Sequence, residues 1–426
     1  MSGDSVFYLG PDPLPALGTG LAVVAREDCG LRPGDSELHI FPTPTRSGRS
    51  LLELPQVQEL LAARAKGAIL WTGSAPAERR LRELGVRAAN SPAQVARQLE
   101  NKAHFSRAAA AAGLPVPPTV TGVAGPELAR AALSLGLPLV FQLARGYSGA
   151  ATYPVSDEAE VVRLCTEFAG HPGRVSRLVK GHPVTVSGVA LPDRVVVGPA
   201  CRQLTGIPEL TPHPLGSCGN DFSAAVPEPE LVREVSVRAA EWLRREGHLG
   251  VFGVDLVVEE EGAAWCIEVN PRLVASVPLW SLSARDAGPS LLQLHLAAFG
   301  LADDQPGPLQ CHWSQLILYQ LEDEVPAPGI ATGHGVVAPD GEFLARGPLD
   351  LQGPPPGAAA RRFFRRARRI GGHVATSLRR PGSPGWAGAV DCWLAHGKRG
   401  QAHGPTTAAD VFMVTAAVSQ SPFSSA

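Results

Sequence analysis

The stretch from Gly250 to Arg272, GVFGVDLVVEEEGAAWCIEVNPR, constrains this chain more than any other segment. Two apolar runs flank an acidic, glycine-containing centre, the pattern of an antiparallel hairpin. With Glu261-Gly262 as the turn, Asp255 faces Glu268 directly and Gly253 faces Asn270. Glu268 and Asn270 then share one face, because side chains alternate with period 2 along a strand. Directly opposed residues have Cβ atoms about 4.5–5.5 Å apart, and like charges there repel. The neighbours Val254, Leu256, Val257, Cys266, Ile267 and Val269 are apolar. The hairpin is therefore expected to be packed on both sides, where bare carboxylates are costly. A divalent cation held by both carboxylates removes that cost. Oxygen ligands from Asp255, Glu268 and Asn270 suit Mg²⁺, with Mn²⁺ also allowed, and Mg²⁺ completes its octahedron with waters and substrate phosphates. Arg272 falls on the same face if the strand continues, and its guanidinium can clamp a carboxylate or a transferring phosphoryl group.

The 426 residues are enough for about three packed units. The first hundred alternate short apolar runs (Val6 to Leu9, Leu21 to Ala25, Ala68 to Trp71) with helical patterns at Pro55 to Ala65 and Glu78 to Leu84. That is the βα rhythm of a small doubly wound sheet. Ser91-Pro92-Ala93-Gln94 predicts a helix start, with Ser91 as N-cap, Pro92 at the first position and Gln94 completing a capping box. Asn101 can cap a second helix that Gly113 ends near Ala112. Val140 to Thr152 predicts a hairpin around a glycine loop. Leu178 to Val186 and Val195 to Leu204 predict strands, Leu231 to Glu246 a helix, and Ser290 to Phe299 a helix closed by Gly300. Beyond Gln305, His312 to Gln320 predicts a strand, Asp340-Gly341 a hairpin turn, and Leu351 to Ala360 a Pro/Gly-rich linker.

Several function classes are disfavoured. The formal net charge is −2, so no global basic field points to nucleic acid. The run Arg361-Arg362-Phe363-Phe364-Arg365-Arg366-Ala367-Arg368-Arg369 is read as an amphipathic helix with a solvated basic face. No run of about 18 apolar residues predicts a membrane span, and the N-terminus lacks the layout of a secretory signal. Seven dispersed cysteines, with no Cys-x-x-Cys pair, suggest neither zinc knuckle nor disulfide framework, and fit a reducing cytoplasm.

Gly253-Val254-Asp255 with Ile267-Glu268-Val269-Asn270-Pro271-Arg272 resembles the metal-binding hairpin of ATP-grasp enzymes, biotin carboxylase and the carboxylate–amine ligases in particular. Upstream segments agree in order. Leu99-Glu100-Asn101-Lys102, followed by Ala112 to Pro117, looks like the family's linker lysine and the strand after it. Leu137 through Thr152 looks like the hairpin that closes over the triphosphate, and Val179-Lys180-Gly181-His182 like the adenine hinge. The resemblance implies a mixed α/β and α+β fold. A Rossmann-like, pre-ATP-grasp domain over 1–100 would precede a two-lobed ATP-grasp fold over 101–304, its lid lobe at about 115–180. A small C-terminal β-hairpin subdomain over 305–350 and a Pro/Gly/Arg-rich tail over 351–426 would follow.

The resemblance also implies roles. ATP would be bound with Lys102 on its phosphates and with backbone around Leu178, Val179 and Lys180 on its adenine. Asp255, Glu268 and Asn270 would hold Mg²⁺, and Arg272 would stabilise an acyl phosphate as the catalytic residue. Gln142 stands where many members have a second ATP-binding lysine. Gln142 can donate hydrogen bonds to phosphate without supplying charge, and Arg145 can compensate. The loop from Arg145 to Thr152, through Gly146, Ser148 and Gly149, can cradle phosphates with backbone N–H groups and hydroxyls. Cys201-Arg202-Gln203 and Gly219-Asn220-Asp221 fall where the family's central strands line the acceptor site. The activity implied is that of a cytoplasmic, ADP-forming ligase joining a small carboxylate, such as an amino acid, to an amine through an acyl phosphate. A bicarbonate-using, biotin carboxylase-like enzyme and a non-catalytic nucleotide-binding protein are the alternatives. No nucleic acid or membrane partner is implied, and a homodimer is compatible.

Overall fold

The computed structural model describes residues 5–10, 13–16, 19–26, 37–41, 48–146, 149, 151–206, 211, 213–222, 224–284, 288–305, 307–311, 314–319, 334–337, 343–346, 359–363 and 373–379. Three sheets organise them.

The first sheet is parallel. It contains β1 (Ser5–Gly10), β2 (Ala22–Ala25), β3 (Leu38–Ile40), β4 (Ala65–Leu70) and β5 (Arg87–Ala88), in the order β3-β2-β1-β4-β5. Helices α1 (Gly48–Leu52), α2 (Pro55–Arg64) and α3 (Ala75–Glu83) connect its later strands. Both faces are buried, which is why these strands read as unbroken apolar runs. Phe7, Leu9 and Val24 pack under the helices with Leu51, Leu61 and Leu81. Val6, Tyr8 and Val23 face the opposite way.

Two helices lead onward, α4 (Ala93–Leu99) and α5 (Lys102–Ala111). Asn101 caps α5, its side chain accepting from the His104 N–H at 3.0 Å, and Gly113 leaves it at φ +75°. The start of α4 differs from the sequence expectation. Pro92 is the N-cap and makes no side-chain cap. The Ala93 N–H donates instead to Glu78 of α3 at 2.6 Å. A carboxylate delivered by a neighbouring helix thus takes the place predicted for Ser91.

The second sheet is small and antiparallel and falls in the lobe expected as the lid. It holds β6 (Thr119–Val123), β7 (Leu139–Leu143), β8 (Thr152–Val155) and β9 (Pro172–Arg177), in the order β6-β9-β7-β8, with α6 (Pro126–Leu133) and α7 (Glu158–Glu167) on one face. Phe141, Val175 and Val155 fill the core beneath those helices. Alternation turns Gln142, Arg174 and Thr152 to the other face.

The third sheet is the large one. It runs β14 (Ala264–Asn270), β13 (Gly250–Val258), β10 (His182–Ala190), β11 (Val195–Thr205) and β12 (Ser217–Asp221), and continues through β15 (Ser314–Tyr319). Farther out lie β19 (His373–Arg379), β18 (Ala359–Phe363), β16 (His334–Val337) and β17 (Phe343–Arg346). Helix α8 (Pro229–Arg245) covers one face, with Val232, Val235 and Leu243 against Val184, Leu256 and Val258. Helices α9 (Val277–Ser283) and α10 (Leu291–Ala298) fill the space between this sheet and the first one. His295 of α10 ties the two together: its Nδ1 accepts from the Val251 N–H at 2.9 Å and its Nε2 reaches the Ala89 carbonyl at 2.7 Å.

Two further expectations change. The strand predicted from Leu178 begins at His182, and residues 178–181 connect it to β9, which the sequence pattern did not reveal. Arg361, Arg362 and Phe363 lie in β18, not in a helix, while the rest of that basic run falls outside the described residues. The strands flanking Asp340-Gly341 pair antiparallel, as a hairpin there requires. Among the described residues no helix is long and apolar enough to cross a membrane.

Candidate functional site

The site grows from the β13–β14 hairpin. Asp255 faces Glu268 and Gly253 faces Asn270, but the chain reaches that pairing by an unexpected route. The turn spans Glu259 to Ala263, closed by the Glu259 N–H on the Ala263 carbonyl at 2.8 Å, and Val258 pairs with Ala264. That is one residue out of step with a two-residue turn at Glu261-Gly262. The register slips back between Leu256 and Asp255, leaving Ile267 as the extra residue of a bulge.

Asp255 is held by Thr185, which donates to its Oδ1 at 2.6 Å, and by the Asn270 amide, which donates to its Oδ2 at 3.0 Å. Gln203 approaches the same Oδ1 at 3.4 Å. Burial, followed by the nearby charge of Glu268, pushes the Asp255 carboxyl up, against the pull of those hydrogen bonds and of Lys102. Glu268 goes the other way. Burial opposes its ionisation, yet the ion pair with Lys102 and the charges of Arg174 and Arg272 hold it well below the usual carboxylate range.

Lys102 sits at the first position of α5, almost fully buried, with its Nζ on Glu268 Oε2. A cation in a helix's first turn opposes the macrodipole, and the Glu268 carboxylate offsets that cost. Its backbone N–H donates to the carbonyl of Ala144, just past β7, at 2.9 Å.

Arg272 does not lie on a continuing strand. β14 ends at Asn270 and the Arg272 N–H turns back onto the Asn270 carbonyl at 2.9 Å. Its guanidinium still returns to the site, donating to Asn270 Oδ1 at 3.1 Å and to Glu100 Oε1 at 2.7 Å. The hairpin end and the α4–α5 junction are thereby joined.

Among the described residues no group of three or more His, Cys, Asp and Glu comes together as a metal cluster. A divalent ion here would rest on two carboxylates and one amide, with its other ligands from outside the chain, a donor set that fits Mg²⁺. Burial that disfavours the bare Asp255 charge is the condition a cation would relieve. The residues present therefore fit the ion.

On the lid, Gln142 has both ends of its amide engaged. Its Oε1 accepts from Arg174 Nε at 2.8 Å and its Nε2 donates to Thr152 Oγ1 at 3.1 Å. Arg145, expected to compensate for the missing charge, is exposed and donates to the Arg97 carbonyl of α4 at 3.0 Å. The buried cation beside Gln142 is Arg174, carried on β9, a strand that the sequence pattern does not reveal. Burial lowers its pKa to about 10, and Glu268 is the leading charge that favours its ionised form. Gly146 leads out of β7 toward the loop; Ser148 lies outside the described residues. Gly149, at φ +81°, lies against the large sheet: a Cβ there would stand 2.4 Å from the Cα of Gly216.

Leu178, Val179 and Lys180 form the β9–β10 connection. The Leu178 N–H donates to the Pro138 carbonyl at 3.0 Å. Lys180 is exposed beside an open groove of about 290 Å³ lined also by Leu135, Pro138, Arg177 and Glu259. Of the two central-strand triplets, the register puts Cys201 opposite Thr185 and Gln203 opposite Asn220, on the face of Asp255. Arg202 is paired with Val184 and Asp221, points to the opposite face, and donates to His182 Nδ1 at 3.0 Å. It is not part of this constellation. Thr185 and Glu100 are additions that only the register and the helix junction reveal.

Comparison with known proteins bears on the fold that carries these residues. The ATP-grasp domain family matches residues 99–276. The arginine-specific large chain of carbamoyl phosphate synthase from Halalkalibacterium halodurans is 26% identical over 205 residues, which is 47% of this chain and only 19% of that relative's length. Biotin carboxylase from Campylobacter jejuni, solved as a β,γ-ATP complex, superposes with a TM-score of 0.63 at 12% identity, covering 92% of this chain and 91% of that one. N5-carboxyaminoimidazole synthase from Aspergillus clavatus, solved with ADP and 5-aminoimidazole ribonucleotide, gives 0.58 at 12% identity over 89% and 94%. The segment that carries Lys102, the antiparallel lobe and the acidic hairpin matches the ATP-grasp domain family.

Proposed function

We propose that this protein is an ADP-forming ligase that activates a small carboxylate as an acyl phosphate and transfers the acyl group to an amine. The observation that carries the reading is the convergence of Lys102, Asp255, Glu268, Asn270 and Arg272 at one end of the large sheet, beneath the lid.

Asp255, Glu268 and Asn270 would hold Mg²⁺, which when bound neutralises phosphate charge. Lys102, now paired with Glu268, lies within reach of the same region and would take a phosphate oxygen. The backbone of Leu178 and Val179, with Lys180, would bound the adenine end. The reaction needs little covalent chemistry from the protein. A carboxylate oxygen of the substrate bonds to the γ-phosphorus while the bond to the β–γ bridging oxygen breaks, and ADP leaves. An amine then attacks the acyl carbon, phosphate departs, and the amine loses a proton. Positioning and charge neutralisation are the enzyme's contribution. Arg272 would stabilise charge developing on the transferring group. The glycine loop at residues 145–152, of which Gly149 lies close to Gly216, would exclude water from the acyl phosphate.

The test is ADP release from Mg-ATP with pooled amino acids, other small carboxylates, amines and bicarbonate, with Glu268→Ala as control. Pool-dependent ADP that vanishes in the variant supports the ligase. Dependence on bicarbonate alone would favour a carboxylase-like reaction, a reading motivated by the overall likeness to biotin carboxylase. Full activity in Glu268→Ala would sink the metal assignment.

A further inference from the structure

Arg174 is 3% exposed and stands where three elements meet. It is directly opposite Gln142 across the β7–β9 ladder. Its Nε donates to Gln142 Oε1 at 2.8 Å, one terminal nitrogen to Ser106 Oγ at 2.8 Å, and the other to the Ile267 carbonyl at 3.0 Å. Each contact has a consequence. Ser106 Oγ in turn donates to the Lys102 carbonyl at 3.0 Å, so the first turn of the Lys102 helix is gripped. Ile267 is the bulge residue next to Glu268, and its carbonyl is received by the guanidinium. Gln142 is fixed on the inner face of the lid. A guanidinium has five N–H donors in a rigid fork, and these contacts use three. A buried charge of this kind is costly unless its surroundings need it.

We propose that Arg174 is a positioning residue of the nucleotide site, supplying the positive charge of the lid's inner face and locking Lys102, Gln142 and Glu268 into one arrangement. This inference rests on the ligase reading above. Because positions 142 and 174 are directly opposed, the two side chains can trade places and keep the same charge and nearly the same volume in the same layer. A role that was only structural would not require the charge.

The experiment measures Mg-ATP affinity by calorimetric titration, together with thermal unfolding, on the full chain and three variants: Arg174→Gln, Arg174→Lys, and the exchange Gln142→Arg with Arg174→Gln. Arg174→Gln is expected to weaken Mg-ATP binding by about tenfold or more, Arg174→Lys by less, and the exchange to return affinity to within about threefold of the wild type. Wild-type affinity in Arg174→Gln overturns the inference. So does an exchange variant that recovers thermal stability without recovering affinity. Should Arg174→Gln not fold, the exchange and lysine variants decide by the same criteria. Failure of the wild type to bind Mg-ATP overturns the ligase reading and this inference together. Wild-type binding with an indifferent Arg174→Gln overturns this one alone.

Discussion

Glu268 lies directly opposite Asp255 across the β13–β14 ladder, and only Glu268 of the two is paired with Lys102. Their protonation diverges for that reason. Burial and the Glu268 charge favour the proton on Asp255, while Lys102 and two arginines keep Glu268 ionised against the cost of burial.

A metal prediction follows from this asymmetry. A divalent ion must compete with the proton on Asp255, so affinity should rise as pH rises through neutrality and level off once that carboxyl is ionised. Mn²⁺ titrations at about pH 6 and about pH 8 check this. Affinity should be higher at the upper pH, and Asp255→Asn should flatten the dependence. Equal affinities for the wild type would refute it.

Arg272 touches Asn270 and Glu100, and on the proposed ligase reading it would stabilise transition-state charge. Arg272→Ala should lower turnover by about 10²–10³ while changing Mg-ATP affinity only a few-fold. Initial rates and a nucleotide titration separate the two. A loss confined to affinity would contradict the assignment.

Gly149 carries two constraints, a left-handed φ of +81° and the backbone of Gly216 against it. Gly85, at φ +72° with open space around it, carries only the first. Gly85→Ala should therefore cost about 1 kcal/mol of stability and leave nucleotide binding alone. Gly149→Ala should displace the loop, weaken Mg-ATP binding and reduce nucleotide-induced protection from proteolysis. Identical behaviour of the two variants would remove the case for a seated loop.

His295 joins the first and third sheets in its neutral form, and burial lowers its pKa from 6.5 to about 4. Below pH 6.5 the unfolded chain takes up a proton that the folded chain refuses. The contribution is intact above pH 6.5 and lost as pH falls toward about 4. The slope is about 1.4 kcal/mol per pH unit. His248, which burial lowers to about 3, adds in the same direction. Urea midpoints across that range should fall with acidification, and His295→Gln should show a shallower slope.

The cap of α4 offers a local check. Glu78→Ala removes the acceptor for the Ala93 N–H and should destabilise the protein by about 1 kcal/mol, whereas Ser91→Ala should cost less at that helix end. Chemical denaturation of both variants reads the difference.

Residue types and local spacing alone determined the βα character of the first hundred residues, the Asn101 cap and the pairing of Asp255 with Glu268. Each depends on contacts between residues close in the chain, where alternation and turn length leave few options. Even there the hairpin was reached through two departures that cancel, a five-residue turn and the Ile267 bulge. Tertiary structure decided the rest. Whether Arg174 faces Gln142 depends on β9 pairing with β7 across an intervening helix. Whether Arg202 faces Asp255 depends on strand parity across β10 and β11. Whether Glu78 caps α4 depends on how two helices dock. Such contacts join residues whose separation in sequence carries no period, so only the packed chain brings charge, fork and bulge carbonyl to one place.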